Sequence, residues 1–204
     1  MIKLQNVEKT IKRKTVIKNI NLAINPNDFI LLKGHNGCGK TMLLRLIAGL
    51  ISPSAGEIHN DEEYTYGVII ENPTFLLGES AFYNLKYLAE INNKVSKEDI
   101  LDLMKKLNLY EVRNKKVRSF SLGMKQRLAI IQAIMERPDV LLLDEPFNAI
   151  DDDNLGIIYD MLNQYSRDGH TIIIASHGDY SEHCNFNRII SMSDGSIKND
   201  TSNR

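Results

Sequence analysis

Gly34, Gly37 and Gly39 fall within the eight residues GHNGCGKT, followed by Lys40, Thr41 and an apolar run. The spelling is G-x-x-x-x-G-K-[ST], which by composition alone would occur in a chain of this length on the order of once in a hundred. Glycines let successive N–H groups curl around phosphate oxygens, and a helix that follows directs its positive end at them. In this arrangement Lys40 neutralises β- and γ-phosphates and Thr41 offers its hydroxyl to Mg²⁺. The bland alternative is a glycine-rich turn with an exposed lysine. It is disfavoured because the apolar strand DFILLK precedes the loop and a helical pattern follows.

A second cluster lies about 100 residues downstream. VLLLDEP is an apolar strand ending in Asp144 and Glu145. Two carboxylates at the C-terminal end of a strand lie where α/β sheets bind ligands. Beside a triphosphate, Asp144 would hold Mg²⁺ and Glu145 would orient or deprotonate an attacking water. Alone, such a strand end is more often a solvated turn; the glycine loop upstream changes that balance. Ser121 and Gly123, in SFSLGMKQRLAI, stand where another helix begins, so a hydroxyl, free N–H groups and a helix dipole can address a second phosphate-binding face. A plain helix-capping serine is the competing reading there.

These pieces must be positioned by regular elements. MIKLQNV and TVIKNINLAI alternate apolar and polar residues, which predicts two half-buried strands joined around EKTIKRK. After the glycine loop, Leu43, Leu44, Ile47 and Leu50 predict a buried helical stripe, closed by Gly49 or the SPSAG turn. EIHN and YTYGVIIE are candidate strands, and from about Ser80 to Glu136 the pattern is helical. VLLLDEP, DDDNLGIIYDMLNQYSRDG and TIIIASH read as strand, helix and strand, which predicts a parallel sheet covered on both faces. RIISMSDGSIK predicts a hairpin turning at Asp194-Gly195.

Together the motifs, in this order, resemble the ATP-binding subunit of an ABC transporter over essentially the whole chain. The family signature, usually L-S-G-G-Q, reads here Phe120-Ser121-Leu122-Gly123-Met124. The spelling SLGMKQR is similar to that of bacitracin-type and lantibiotic-immunity exporters. The resemblance implies an α/β fold: a P-loop NTPase (RecA-like) core with a mostly parallel sheet, an N-terminal antiparallel β subdomain and an inserted α-helical subdomain. On that basis residues 1–204 are one domain, with 1–73 and 137–204 forming the core and 74–136 the helical subdomain.

The resemblance also implies the cofactors ATP and Mg²⁺ and the site residues. Nucleotide binding falls to Gly34, His35, Asn36, Gly37, Cys38, Gly39, Lys40, Thr41 and Met42, with Ser121 and Gly123 supplying the opposing face. Asn148 to Asp151 occupy the loop that crosses between partner subunits. His177 matches the switch histidine that contacts the γ-phosphate, and with Glu145 and Lys40 it makes the catalytic set. Most members place a glutamine where this chain has Glu71, which leaves Thr41, Asp144 and Glu71 as metal candidates. Members usually stack adenine on an aromatic near the first hairpin, where this chain has Ile11. Cys38 most simply fills a small space in the loop, although a thiol beside a helix N-terminus and Lys40 can have a lowered pKa.

Each motif occurs once, so two complete sites require a second nucleotide-binding subunit, identical or different. The family further implies a separate membrane permease, docking near Pro73–Tyr87, and a location on the cytoplasmic face of the membrane. Export is favoured by spelling alone, and the cargo is not written in these residues.

Composition sets the remaining bounds. Lys and Arg number 25 against 26 Asp and Glu, which gives no general attraction to nucleic acid. The basic runs KTIKRK and RNKKVR lack interleaved aromatics and read as solvated turns. A soluble ABC ATPase acting on nucleic acid is therefore the weaker alternative, as is a regulatory subunit that binds ATP without turnover, since the catalytic set is complete. Two distant cysteines, an early charge at Lys3 and apolar runs too short to cross a bilayer predict a chain in a reducing, cytosolic setting.

Overall fold

The computed structural model describes residues 1–71 and 73–202. Among them two sheets form. The first is antiparallel, ordered β2-β1-β4, from β1 (Ile2–Ile11), β2 (Lys14–Ile24) and β4 (Ala55–Asn60). The second is ordered β5-β6-β7-β3-β8-β9, from β3 (Phe29–Lys33), β5 (Tyr66–Ile69), β6 (Val140–Asp144), β7 (Thr171–Ser176), β8 (Arg188–Ser193) and β9 (Ser196–Ser202). Its neighbours pair in parallel except β8 with β9.

The central strands are apolar throughout because both faces are covered, and alternate residues serve different cores. Phe29, Leu31, Leu141, Leu143, Ile172 and Ile174 face the helical lobe and α5 (Asp152–Arg167). Ile30, Leu32, Leu142 and Ile173 face α1 (Lys40–Ile47) and the antiparallel sheet. The lobe consists of α2 (Ala81–Asn92), α3 (Lys97–Lys106) and α4 (Leu122–Ile134). Its buried residues Leu85, Ile100, Met104 and Leu128 belong to the same core cluster as Phe29, so the lobe is continuous with the sheet's packing. No helix among the described residues is long and apolar enough to cross a membrane.

Two details differ from expectation. Leu50 is 61% exposed rather than part of the α1 stripe, because the helix stops at Ile47 and Gly49 turns the chain away at φ 68°; Leu46 is buried instead. The first hairpin is longer than its alternation suggests. β1 runs on to Ile11, and the turn is only Lys12-Arg13, both at positive φ, a conformation that those residue types do not advertise. EIHN joins the antiparallel sheet, pairing with β1 through Ile2↔Asn60 and Leu4↔Ile58. The closing hairpin turns at Asp194-Gly195 as expected, again with both φ values positive.

Candidate functional site

Strand register brings the chemistry together. Lys33 pairs with Ser176 and Asp144 with Ala175, so the loops leaving β3, β6 and β7 emerge side by side at the carboxyl end of the sheet. The glycine loop is held from outside by backbone hydrogen bonds: Gly195 N–H donates to the Cys38 carbonyl at 2.9 Å, and Lys18 N–H to the Gly195 carbonyl at 2.8 Å. At Gly34 a Cβ would meet the Met192 carbonyl and the Cys38 sulfur. Gly39 sits at φ 112° as the N-cap of α1, with no side chain closing the helix end and no acidic residue in the first turn. The leading N–H groups of α1 are therefore left for an anion.

Lys40 is buried, its Nζ donating to the Gly34 carbonyl at 2.6 Å and lying 3.4 Å from that of His35. The Thr41 hydroxyl donates to Asp144 Oδ2 at 2.5 Å across 103 residues of sequence. Burial, followed by the like charges of Glu145 and Glu71, pushes the Asp144 carboxyl up, against the opposing pull of the Thr41 hydrogen bond and Lys40. These oxygens and the ammonium border a cleft of about 350 Å³, also lined by Val16, Asn36, Gly37, Gly39, Met42, Arg45, Glu71 and Glu145. A cationic, amide-lined loop facing a hydroxyl and carboxylates suits a triphosphate with a divalent ion. A groove of about 470 Å³ between α3, α4 and α5 is larger, but it has no such loop, so chemistry rather than size selects the site.

Glu145 follows β6 in a left-handed conformation, φ 47°, strained for this residue type. Both of its oxygens are engaged. Oε2 accepts from the Ser176 hydroxyl at 3.0 Å, and Oε1 accepts from the His177 main-chain N–H at 3.0 Å and from ring Nδ1 at 2.9 Å. Ser176, fully buried, also accepts from Gly178 N–H at 3.1 Å.

The remaining candidates divide between the cleft, where Glu71 lies, and other places. Ser121 caps α4, its hydroxyl accepting from Met124 N–H at 3.2 Å, and it does not line the cleft of its own chain. Gly123 packs so tightly on the following loop that a Cβ would collide with the Ala149 carbonyl. Gln126 Nε2 donates to the Pro146 carbonyl at 3.1 Å, and Asp151 caps α5 by accepting from Asn154 N–H at 3.1 Å. Ile11, 39% exposed near the hairpin tip, is outside the cleft lining, whereas Val16 of the same hairpin is in it. His35 is exposed, its Nδ1 2.9 Å from the Asn36 carbonyl. Glu71 forms an ion pair with Arg45 at 2.7 Å.

Sequence reasoning missed Ser176, Val16 and Arg45. Arg45 was discoverable, because positions i and i+4 of a helix share a face and Thr41 lies four residues before it.

Residues 17–148 match the family described as ABC transporter. The uncharacterized ABC transporter ATP-binding protein YybJ of Bacillus subtilis (strain 168) is 46% identical over 186 residues, covering 87% of this chain and 85% of YybJ. The lantibiotic transport ATP-binding protein SrtF of Streptococcus pyogenes is 34% identical, covering 87% and 80% of the two chains. In structure, the chain superposes on the ATP-binding cassette MJ0796, solved as a dimer in a post-hydrolysis state bound to ADP and Pi, with a TM-score of 0.90. That match has 25% identity and covers 100% of this chain and 99% of the other. The chain belongs to the ABC transporter family, as one of its ATP-binding subunits.

Proposed function

We propose that this chain hydrolyses Mg-ATP between two nucleotide-binding subunits and so drives a separate membrane permease, in the export direction. The observation that carries the reading is the convergence of Lys40, Thr41, Asp144 and Glu145 on one cleft beneath a glycine loop. Thr41 and Asp144 would hold Mg²⁺, with Glu71 a further candidate; bound there, the ion would neutralise phosphate charge. Lys40, released from the Gly34 carbonyl, would meet the phosphates. Glu145, the general base, would take the proton of the attacking water, and His177 would orient that carboxylate or reach the γ-phosphate once the contact between them breaks.

Ser121 and Gly123 would complete the site of a second chain. Their absence from the cleft of their own chain, and the ADP- and Pi-bound dimer of the related cassette, support that arrangement. Binding ATP across an interface makes the nucleotide part of the contact, so hydrolysis loosens it. Residues 74–136 would act as the helical subdomain and Pro73–Tyr87 as the permease contact, with Leu76, Leu77, Tyr83 and Tyr87 exposed there. The subunit would then work at the cytoplasmic face of a membrane. Export rests on the relationship to the lantibiotic transport protein and on the SLGMKQR spelling.

A steady-state phosphate-release assay tests the reading. Mg-dependent ATPase activity abolished by Lys40→Ala is the expected result, and a folded wild-type chain that neither binds nor hydrolyses Mg-ATP, with a second subunit supplied, overturns it.

A further inference from the structure

We propose that Arg45 is the counter-charge that allows a glutamate at position 71 to border the nucleotide cleft, and hence a positioning residue for Mg-nucleotide binding. The inference rests on the nucleotide reading of that cleft. Arg45 projects from α1 four residues after Thr41, and its Nη2 meets Glu71 Oε1 at 2.7 Å. Both side chains line the cleft that holds Asp144 and Glu145.

The pair is too exposed, 31% for Arg45 and 61% for Glu71, to contribute much to stability. Its significance is where its charges fall. Three carboxylates, Glu71, Asp144 and Glu145, face the cleft, and Lys40 is already hydrogen-bonded to loop carbonyls. Arg45 is therefore the cation placed to cancel Glu71. Without it, the cleft's negative excess would grow from three carboxylates against two cations to three against one, and a triphosphate would enter against that charge within a few ångströms, where Coulomb terms are large. The contact also ties α1 to Glu71, which sits at φ 63°, so the same pair fixes where the carboxylate points.

A double-mutant cycle read by calorimetry tests this. Arg45→Gln is expected to weaken Mg-ATP binding roughly tenfold while leaving the melting temperature nearly unchanged. Arg45→Lys, which keeps the charge, should retain most of the affinity. Adding Glu71→Gln to Arg45→Gln should return binding to within about twofold of wild type, because the uncompensated charge is gone while the amide oxygen still offers the ion a ligand. An Arg45→Gln chain that binds as wild type, or a double variant as weak as Arg45→Gln alone, overturns the proposal while leaving the nucleotide reading intact. Wild-type protein that fails to bind Mg-ATP overturns both.

Discussion

His177 and Glu145, 32 residues apart in sequence, meet through two contacts to one oxygen: the His177 main-chain N–H and its Nδ1 both reach Glu145 Oε1, at 3.0 and 2.9 Å. A carboxylate only accepts, so the ring nitrogen in this contact carries the hydrogen. With Ser176 on the other oxygen, the carboxylate is held at the cleft edge before any substrate arrives. A carboxylate fixed in this way would lose little entropy on reaching a working position as a base.

Glu145→Gln keeps an oxygen for these donors but removes the charge and the basicity. We expect ATP binding to persist and turnover to fall by about 10²-fold or more. A closed dimer should accumulate with ATP and Mg²⁺, in the presence of the natural second subunit if that is a different chain. Size-exclusion chromatography checks this; a variant that binds ATP yet remains monomeric would count against the interfacial arrangement.

Gly123→Ala introduces a Cβ into the Ala149 carbonyl, and neither partner is a flexible side-chain tip. Overpacking of this kind costs about 1–3 kcal/mol, which lowers the melting temperature by several degrees in a chain of this size. Gly156→Ala is the control. It lies within α5 with open space around it, so the change should raise stability by a few tenths to about 1 kcal/mol. Thermal melts of both variants check this; a Gly123→Ala chain that melts at or above the wild-type temperature would show that the α4 contact is not tight.

Base recognition should be weak. Ile11 offers no aromatic face and stands outside the cleft, and losing a stacking pair removes about 0.5–1.5 kcal/mol. ATP and GTP are expected to bind within a few-fold of each other by calorimetry. A strong preference for ATP would mean that another residue reads the base.

Neither thiol should react in the native chain. Cys38 is 1% exposed and Cys184 2%, and burial pushes the Cys184 thiol up to about 12, so at pH 8 it is protonated and a poor nucleophile. Maleimide labelling followed by mass spectrometry should find both cysteines unmodified until denaturant is added. Rapid native labelling of Cys38 with loss of ATPase activity would restore the reactive-thiol reading, which its burial disfavours.

Much of this was written locally. The glycine loop, the strand before it and the Asp194-Gly195 turn are short-range patterns whose backbone demands are visible in residue type. The Lys12-Arg13 turn was hidden, because neither residue favours positive φ and only strand pairing imposes it. Leu50 misled for the opposite reason: its spacing continued the stripe after the helix had ended.

The sequence by itself determined which groups are present: a glycine loop with its lysine, a threonine hydroxyl, paired carboxylates and a histidine, each attached to a predictable element. Only the tertiary structure decided which of them touch. Parallel register aligned Lys33 with Ser176 and Asp144 with Ala175, which set Thr41 against Asp144 and Glu145 against His177. It also turned Glu71 onto Arg45 and left Ser121 outside the cleft. Local geometry depends on the neighbouring few residues, whereas these contacts depend on how strands far apart in the chain slide into register, and that is settled by burying both faces of the sheet at once.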